Sequence, residues 1–240
     1  MSGELDGRVI AITGATGGIG RALALAAVAA GAQLVVLGRS LPKLQALHAA
    51  LEQQAPGAAL MAQLDLENAL ANDYDRIADA VMQRYGRLDG LVHCAAMLGT
   101  LTPLDHYEVP TWCRVMQVNV TAAFALTQVL LPALRRSADA SVIFTSSSVG
   151  RRGRAYWGAY AVSKFAVEGM AQVMAAELAG TSNVRVNTLN PGRVRTAMRR
   201  AAYPSENLES LPLPETLVDP YLRLLGPRGA GITGQALDCQ

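Results

Sequence analysis

Residues 8–20 read RVIAITGATGGIG, an apolar run followed at once by a turn rich in glycine. The run 8–13 predicts a buried strand, and the Ala- and Leu-rich stretch 19–30 predicts a helix that stops at Gly31. Glycines between a strand and a helix let a phosphate approach the backbone, and the helix start offers it free N–H groups. The G-x-x-x-G-x-G spacing lacks the Gly-Lys-Ser/Thr of a P-loop. It therefore predicts a dinucleotide turn, with a ligand-free turn as the alternative.

Outward from this turn, short apolar runs alternate with helical stretches to the end of the chain. Further strands are predicted at 33–37, 58–64, 88–94, 141–145, 184–189 and 231–237. Helices are predicted between them at 42–54, 67–85, 112–134 and 159–178. The apolar runs lack a polar alternation, which is typical of parallel strands covered on both faces. The pattern predicts an α/β fold with one Rossmann-type domain over residues 1–240, a doubly wound parallel sheet with helices on both faces.

Composition restricts the class of protein. Hydrophobic residues make up 51% of the 240 and charged residues 17%, so a packed core is expected and disorder is not. The net charge of +2 is too small to indicate a nucleic acid or a membrane surface as partner. Three cysteines without a CxxC pair indicate neither a disulfide framework nor a zinc site. With no signal-peptide start and no apolar run of about eighteen residues, we expect a cytoplasmic protein without a bound metal.

Segment 196–220 is the irregular part of the chain. Its four prolines exclude one long helix, and we expect a flexible flap over the substrate site. Arginines are frequent along this flap and in an earlier segment, namely Arg193, Arg195, Arg199 and Arg200, and Arg151, Arg152 and Arg154. Clustered guanidinium groups would favour an anionic substrate, such as a phosphorylated compound or a carrier-linked acyl group. A solvated surface or a subunit interface is the alternative interpretation of the same arginines.

The end of the second predicted strand bears on the choice of cofactor. An acidic residue there would bind the adenosine 2′-hydroxyl of NAD, but the chain has Gly38 and Arg39. A guanidinium can hold a 2′-phosphate, so NADP(H) is favoured, with a solvated surface charge as the alternative. Asp65, after the third strand, could bind the adenine amine or could cap the helix predicted from residue 67.

Tyr160 and Lys164 are four residues apart on a predicted helix and therefore share a face. Ser147 lies at the end of the fifth strand, where parallel sheets bind ligands. A nearby ammonium and a positive nicotinamide ring would lower the tyrosine pKa from about 10 and make this phenol a workable proton donor or acceptor. Of the 21 basic residues only Lys43 and Lys164 are Lys, and Lys at 164 indicates a geometry that a guanidinium would not fit.

These motifs, in this order and at this spacing, resemble the short-chain dehydrogenase/reductase family over essentially the whole chain. Residues 13–20 resemble its TGxxxGxG turn, and four residues match its catalytic positions, namely Asn119, Ser147, Tyr160 and Lys164. Residues 145–165 resemble an uncharacterised bacterial branch of the family, which indicates no particular substrate. The resemblance implies hydride transfer between NADP(H) and the carbonyl/alcohol pair of a small molecule. It also implies a homodimer or homotetramer formed through the helices around Asn119 and Tyr160.

The family implies a role for each site residue. Tyr160 exchanges a proton with the substrate oxygen, and Ser147 hydrogen-bonds that oxygen. Lys164 holds the nicotinamide ribose and lowers the Tyr160 pKa, while Asn119 helps to pass the proton toward solvent. Contacts to the cofactor are expected from Thr13, Gly14, Thr16, Gly18, Ile19, Gly20, Arg39, Asp65, Leu66, Cys94, Ala95, Tyr160, Lys164, Pro191, Gly192 and Thr196.

The chain departs from the family pattern at two places. After the fourth strand it has His93-Cys94-Ala95-Ala96 where Asn-Asn-Ala-Gly is usual, and the usual C-terminal Asp-Gly-Gly is absent. Cys94 cannot supply the hydrogen bonds of an amide, and Ala96 is bulkier than glycine. His93 and Cys94 are neighbours in a strand, so we expect them to point to opposite faces.

Two other functions are compatible with parts of this pattern. A nucleotide-binding sensor or scaffold without turnover would keep the glycine turn, but it would not need a tuned phenol at Tyr160. A serine hydrolase using Ser147 would need a G-x-S-x-G elbow and a histidine partner, and the sequence indicates neither.

Overall fold

The computed structural model describes residues 3–240, and its centre is a sheet of seven parallel strands. In chain order the strands are β1 (Val9–Thr13), β2 (Gln33–Gly38), β3 (Ala59–Gln63), β4 (Gly90–His93), β5 (Ala140–Thr145), β6 (Val184–Asn190) and β7 (Ala236–Asp238). Across the sheet they follow the order β3-β2-β1-β4-β5-β6-β7, and every neighbouring pair is parallel. The order changes direction between β1 and β4, as in a doubly wound sheet, and confirms the predicted fold class.

Helices pack on both faces of the sheet. They are α1 (Gly18–Ala29), α2 (Leu41–Gln54), α3 (Ala71–Tyr85), α4 (Val109–Met116), α5 (Ala122–Leu134), α6 (Gly158–Leu178), α7 (Ala197–Ala202) and α8 (Asp219–Leu225). Within β1, Val9 and Ala11 belong to one buried apolar cluster, together with α3, α5 and α6. Ile10 and Ile12 belong to the other, together with α1, α2 and α8. Because alternate side chains of a strand point to opposite faces, an all-apolar strand must be covered twice.

The predicted helix 112–134 begins earlier than the pattern indicated and is not uniform. It starts with Pro110 in its first turn, where the missing N–H costs no hydrogen bond. A π-helical segment, Gln117–Thr121, separates α4 from α5 and carries the buried Asn119. Pro132 lies inside α5 and does not end it. Single π-helical turns are frequent at functional sites, which fits the position of Asn119.

The continuous helix Val109–Leu134 is long and apolar enough to cross a membrane by length and composition, contrary to the expectation of no such stretch. Leu126, Leu130 and Leu134 of this helix are fully buried in the cluster that covers one face of the sheet. A core helix passes the same test of length and composition, and we interpret this helix as one.

Helix α3 begins at Ala71, four residues later than predicted. The Asp73 carboxylate accepts a hydrogen bond from Leu70 N at 2.8 Å and closes the first turn there. Asp65 accepts a hydrogen bond from Glu67 N at 3.2 Å, within a turn that precedes the helix. The alternative of Asp65 as the cap of this helix is therefore wrong.

Segment 196–220 consists of short helical pieces. Helix α7 is followed by 3-10 turns at Leu208–Ser210 and Pro214–Leu217 and by the start of α8. Thr196 Oγ1 accepts a hydrogen bond from Arg199 N at 3.1 Å and begins α7. The prolines thus prevent one long helix, as expected, and the flexibility of this flap stays a prediction.

Candidate active site

The turn between β1 and α1 brings backbone atoms very close together. Gly14 has a φ of +64°, and a Cβ there would lie 2.7 Å from Ala95 N. A Cβ on Gly20 would lie 2.4 Å from Gly14 O. Both positions therefore require glycine, and this allows the chain after β4 to approach the turn. Gly17 precedes α1 without a side-chain cap, so the first N–H groups of the helix are free to bind an anion.

An open cavity of about 500 Å³ lies beside this turn and the ends of β2, β3 and β4, within the usual size range of small-molecule sites. Twelve of the residues predicted to contact the cofactor line it, namely Thr13, Gly14, Thr16, Gly18, Ile19, Gly20, Arg39, Asp65, Leu66, Cys94, Ala95 and Thr196. A dinucleotide fits this cavity, because the phosphate-binding turn and the residues predicted for the adenosine face the same space.

Arg39, directly after β2, reaches this cavity from a largely solvated position. Its side chain is 70% exposed and lies 3.8 Å from Glu67, whose carboxylate is held more closely by Arg114, at 2.6 Å. Arg39 can therefore turn toward a phosphate without breaking a short ion pair. Ser40 and Lys43 line the same cavity and were not predicted. Lys43 could have been predicted as a cavity residue because the chain has only two lysines and the other is Lys164.

His93 and Cys94, at the end of β4, are both held in their neutral forms. Burial lowers the pKa of His93 to about 3 and raises the pKa of Cys94 to about 11. His93 Nε2 forms a hydrogen bond with Thr127 Oγ1 at 2.8 Å, whereas Cys94 packs against the cluster on the other face, as predicted for neighbours in a strand. Thr13 Oγ1 accepts a hydrogen bond from Ala95 N at 3.2 Å. This bond fixes the chain here without an asparagine side chain.

A smaller cavity of about 120 Å³ adjoins the first, and Ile19, Thr196 and Met198 line both. Besides Ile19 and Thr196, four more predicted site residues line this second cavity, namely Ser147, Tyr160, Pro191 and Gly192. Asn119 and Lys164 are each 4% exposed and line neither cavity. The hydroxyl groups of Ser147 and Tyr160 therefore stand beside the space that fits the dinucleotide.

Tyr160 is 7% exposed, and burial raises its pKa to about 12, with the Ser147 hydroxyl opposing the shift. Lys164 Nζ lies 5.5 Å from the centre of the Tyr160 ring and donates to Thr145 O at 2.7 Å. Among the chain's own residues burial therefore determines the direction of the shift, and the expected lowering of the Tyr160 pKa by Lys164 and a bound nicotinamide stays a prediction. The phenol is protonated at neutral pH.

Burial also lowers the pKa of the Lys164 ammonium to about 8, although the nearby Cys94 and Glu168 side chains oppose the shift. An unfolded chain keeps a lysine pKa of about 10.4, so it binds this proton more tightly than the native protein does. The contribution of Lys164 to stability therefore rises as the pH passes from about 8 to about 10, and the gain between pH 7 and pH 9.5 is about 2 kcal/mol.

Lys164→Met should remove this dependence on pH. The free energy of unfolding of the variant, relative to the native protein, should fall by about 2 kcal/mol between pH 7 and pH 9.5, because only the native protein gains stability from loss of this proton. Urea titrations of both proteins at the two pH values measure the difference, in which the other titrating groups cancel. A difference that does not change with pH would contradict the prediction.

Asn119 is fully engaged by protein partners. Its Oδ1 accepts a hydrogen bond from Met97 N at 2.7 Å, and its Nδ2 donates to Met97 O and to Ser163 Oγ, both at 2.9 Å. Ser163 Oγ in turn donates to Tyr160 O at 2.7 Å. Asn119 thus ties the chain after β4 to helix α6. The proton relay expected of Asn119 stays a prediction.

Comparison with known proteins agrees with this geometry, since the family model of the short chain dehydrogenases matches residues 8–207. The chain belongs to the short-chain dehydrogenase/reductase family. Uncharacterized oxidoreductase YciK of Escherichia coli (strain K12) is 43% identical over 236 residues, which are 98% of this chain and 93% of that protein. A solved structure described as a short chain dehydrogenase from Pseudomonas syringae is 50% identical, with a TM-score of 0.98 over 100% of this chain and 97% of that one. Another, from Shigella flexneri 2a (strain 301) and complexed with NADP, is 42% identical, with a TM-score of 0.97 over 100% of both chains.

These similarities confirm the predicted family, the Rossmann-type fold and NADP(H) as the cofactor. The dehydrogenase is an NADP-dependent oxidoreductase, and none of the similarities favours a silent sensor or scaffold. Within residues 3–240, no three side chains of His, Cys, Asp or Glu lie close enough together to hold a metal ion.

The dehydrogenase has a buried carboxylate that the sequence analysis missed. Glu168, one turn beyond Lys164, accepts hydrogen bonds from Ser146 Oγ at 2.5 Å and from Thr188 Oγ1 at 2.6 Å. Arg151 Nε donates to it at 3.3 Å. Glu168 therefore connects the ends of β5 and β6 to helix α6. The sequence contains one indication of this role, since Glu168 is a single acidic residue among apolar neighbours, four positions after Lys164.

The same network reaches the C-terminal strand of the dehydrogenase. Arg151 Nη1 donates to both carboxylate oxygens of Asp238 at 2.8 Å, and Asn190 Nδ2 donates to Asp238 Oδ1 at 2.7 Å. Asn190 Oδ1 accepts a hydrogen bond from Gly192 N at 3.1 Å, in the segment that the family resemblance places at the nicotinamide. Asp238 thus holds β7 in place although the usual Asp-Gly-Gly is absent.

Most of the seven arginines expected near the site have partners within the dehydrogenase. Four of them form hydrogen bonds with other segments, namely Arg151, Arg154, Arg195 and Arg199. Arg199 is the one of the seven that lines the smaller cavity, and it is paired with Glu206. The other three are exposed and line neither cavity, namely Arg152, Arg193 and Arg200. This arrangement favours the surface interpretation of the arginines over an anionic substrate.

Proposed function

We propose that this dehydrogenase reduces the carbonyl group of a small molecule, with Tyr160 as the general acid and, in the reverse direction, the general base. The placement of two hydroxyl groups carries the proposal, since Tyr160 and Ser147 line a small cavity that shares part of its wall with the dinucleotide cavity. NADPH, when bound, supplies a hydride to the carbonyl carbon. The carbonyl oxygen then needs one proton, and Tyr160 is placed to give it.

The neighbouring residues have distinct parts in this step. Ser147 Oγ hydrogen-bonds the carbonyl oxygen and stabilises the charge that develops on it. Lys164 holds the nicotinamide ribose, and its ammonium, 5.5 Å from the Tyr160 ring centre, stabilises the phenolate that proton transfer leaves behind. Asn119 fixes the backbone of Tyr160 through Ser163 and helps to pass the proton between the site and solvent.

Reduction needs the protonated form of Tyr160. A phenol with a pKa of about 12 keeps its proton at neutral pH and is ready to donate it. Oxidation of an alcohol needs the phenolate, which burial disfavours, so that direction should gain from a rise in pH. A screen of carbonyl compounds followed by NADPH absorbance tests the proposal. Tight binding of NADPH without turnover of any carbonyl compound would favour the sensor instead.

Arg39→Ala should weaken the binding of NADPH by about 10- to 100-fold and leave the binding of NADH nearly unchanged. The guanidinium is placed to form charge-assisted hydrogen bonds with the 2′-phosphate, each contributing about 1.5–3 kcal/mol. Calorimetry with both cofactors measures the two dissociation constants. Arg76→Ala is the control, since Arg76 is exposed on α3 and lies outside the cavity. Equal affinity of the native protein for NADPH and NADH would contradict the prediction.

We also propose that the dehydrogenase acts in the cytoplasm as a homodimer or homotetramer built on α5 and α6. Large apolar side chains on these helices support this proposal, since Phe124, Phe165 and Val173 are 47%, 45% and 57% exposed. Exposed large apolar side chains are typical of a surface covered by another subunit. Light scattering of the purified protein measures its mass in solution.

A further inference from the structure

We infer that the substrate is a neutral ketone whose reacting end is an apolar ring, bound against the indole of Trp157. This inference rests on the proposed function, since it concerns the cavity in which Tyr160 meets the substrate. Two properties of that cavity carry it, namely its apolar, aromatic wall and the pairing of its one cation.

Part of the wall of this cavity is apolar and aromatic. Five side chains form it, namely Leu98, Trp157, Val194, Met198 and Ala202. Leu98, Trp157 and Met198 pack around Tyr160 in an apolar cluster that is separate from the two clusters of the core. Three apolar side chains that lie outside the core and line a cavity indicate a surface for an apolar ligand.

Trp157 is held in place by other aromatic rings. Its ring centre lies 5.7 Å from that of Tyr160, at an angle of 53°, and 5.9 Å from that of Tyr203, at 46°. Such distances are typical of favourable aromatic pairs. The indole is therefore a rigid flat surface next to the proton donor, which suits a flat or chair-shaped ring better than a flexible chain.

The one cation that lines this cavity is already paired. Arg199 donates from Nε and Nη2, two of its three guanidinium nitrogens, to Glu206 at 2.5 and 2.6 Å. Its guanidinium carbon also lies 3.8 Å from the centre of the Tyr203 ring, so one face is covered. A carboxylate or phosphate here would have to compete with Glu206 for the guanidinium, which is costly away from water. The pairing therefore favours a neutral reacting end.

Cofactor and substrate meet in this cavity. Pro191, Gly192 and Thr196, which are expected to contact the nicotinamide, line it together with Trp157. A ketone that lies against the indole is therefore next to the hydroxyl groups and next to the expected position of the nicotinamide.

A matched pair of ligands tests the inference. Cyclohexanone and 4-oxocyclohexanecarboxylate have the same ring and the same ketone and differ by one charge, and acetoacetyl-coenzyme A represents the anionic acyl thioesters. With NADPH, kcat/KM for cyclohexanone should exceed that for the carboxylate by at least about tenfold, because the charge would be buried without a partner. Trp157→Ala should raise KM for cyclohexanone by about tenfold, since it removes the aromatic surface.

Binding can be measured separately from turnover, because the chain has two tryptophans. In Trp112→Phe the emission comes from Trp157 alone, and cyclohexanone should quench it in the presence of NADP⁺. In Trp157→Phe the emission comes from Trp112, which packs edge-on against Tyr107 outside the cavity, and the same ketone should leave it unchanged.

The possible outcomes separate the inference from the function on which it rests. Reduction of acetoacetyl-coenzyme A with no reduction of cyclohexanone would overturn the substrate class and leave the reductase intact. Equal kcat/KM for the neutral and the charged ring would also overturn the class. Quenching of Trp157 by the ring without reduction of any ketone would support the ligand class and overturn the reductase. Absence of both quenching and reduction would overturn both.

Discussion

Replacing Tyr160 by Phe is expected to lower kcat for ketone reduction by a factor of about 10² to 10⁴ and to leave the Kd for NADPH nearly unchanged. The change removes the proton donor and a single oxygen atom. The ring keeps its contacts with Trp157 and with the buried Val149 and Ala161, so the cavity should keep its shape. Single-turnover oxidation of bound NADPH measures the rate, and calorimetry measures the affinity for the cofactor.

Tyr156→Phe is the matched control for this experiment. Tyr156 lies four residues earlier on the same segment, is 62% exposed and would lose the same oxygen atom. Near-native turnover in Tyr156→Phe together with loss of turnover in Tyr160→Phe would assign the effect to one phenol. Near-native turnover in Tyr160→Phe, on a ketone that the native protein reduces, would show that the proton comes from elsewhere.

The fold was predictable because local pattern and tertiary structure agree along this chain. The run Val9–Thr13 is apolar at every position, and a strand with that pattern must be covered on both faces. The glycine turn fixes the direction in which the following helix leaves the strand, and the order of the elements then leaves few possible topologies. The twelve cofactor residues that line one cavity were predicted from the glycine turn, from the ends of the strands and from the resemblance to the family.

The contacts that distinguish this chain were not predictable, because they join residues far apart in the sequence. Arg151 reads as one of a cluster of positive charges, and only the fold brings Asp238, 87 residues later, within 2.8 Å of it. In the sequence Arg199 likewise has no evident partner. In the structure Glu206, seven residues later, accepts hydrogen bonds from it through both carboxylate oxygens. The clustering of arginines in the sequence therefore suggested an anionic substrate, whereas the ion pairs that they form in the structure do not.

The same limit applies to the pKa of Tyr160. The sequence places Lys164 on the same helical face and so predicts that an ammonium lowers the pKa. How deeply both side chains are buried depends on the surrounding fold. Burial raises the pKa of Tyr160 and lowers that of Lys164, so the two groups shift toward their neutral forms. The direction of each pKa shift could therefore not be predicted from the spacing of the two residues alone.

Glu168→Gln is expected to reduce both stability and catalysis, because it removes the charge from a buried network without removing its shape. Loss of one partner of a buried ion pair typically costs about 3 kcal/mol, and Arg151 keeps only Asp238 as a charged partner. Gln has one acceptor oxygen where the carboxylate has two, so only one of the Ser146 and Thr188 hydroxyl groups keeps its acceptor and the other meets an NH₂ group. We expect kcat/KM for ketone reduction to fall about tenfold, since a small displacement of α6 moves both Tyr160 and Lys164.

The pH dependence separates a positioning role from a merely structural one. The Glu168 carboxylate raises the pKa of Lys164, so its loss should move the Lys164-dependent limb of the kcat/KM profile to lower pH. Glu168→Asp keeps the charge and should restore the position of that limb more fully than it restores stability. Glu177→Gln, at the exposed end of the same helix, should change neither quantity. If Glu168→Gln lowers the free energy of unfolding but leaves the whole pH profile in place, Glu168 stabilises the fold without positioning the groups that act on the substrate.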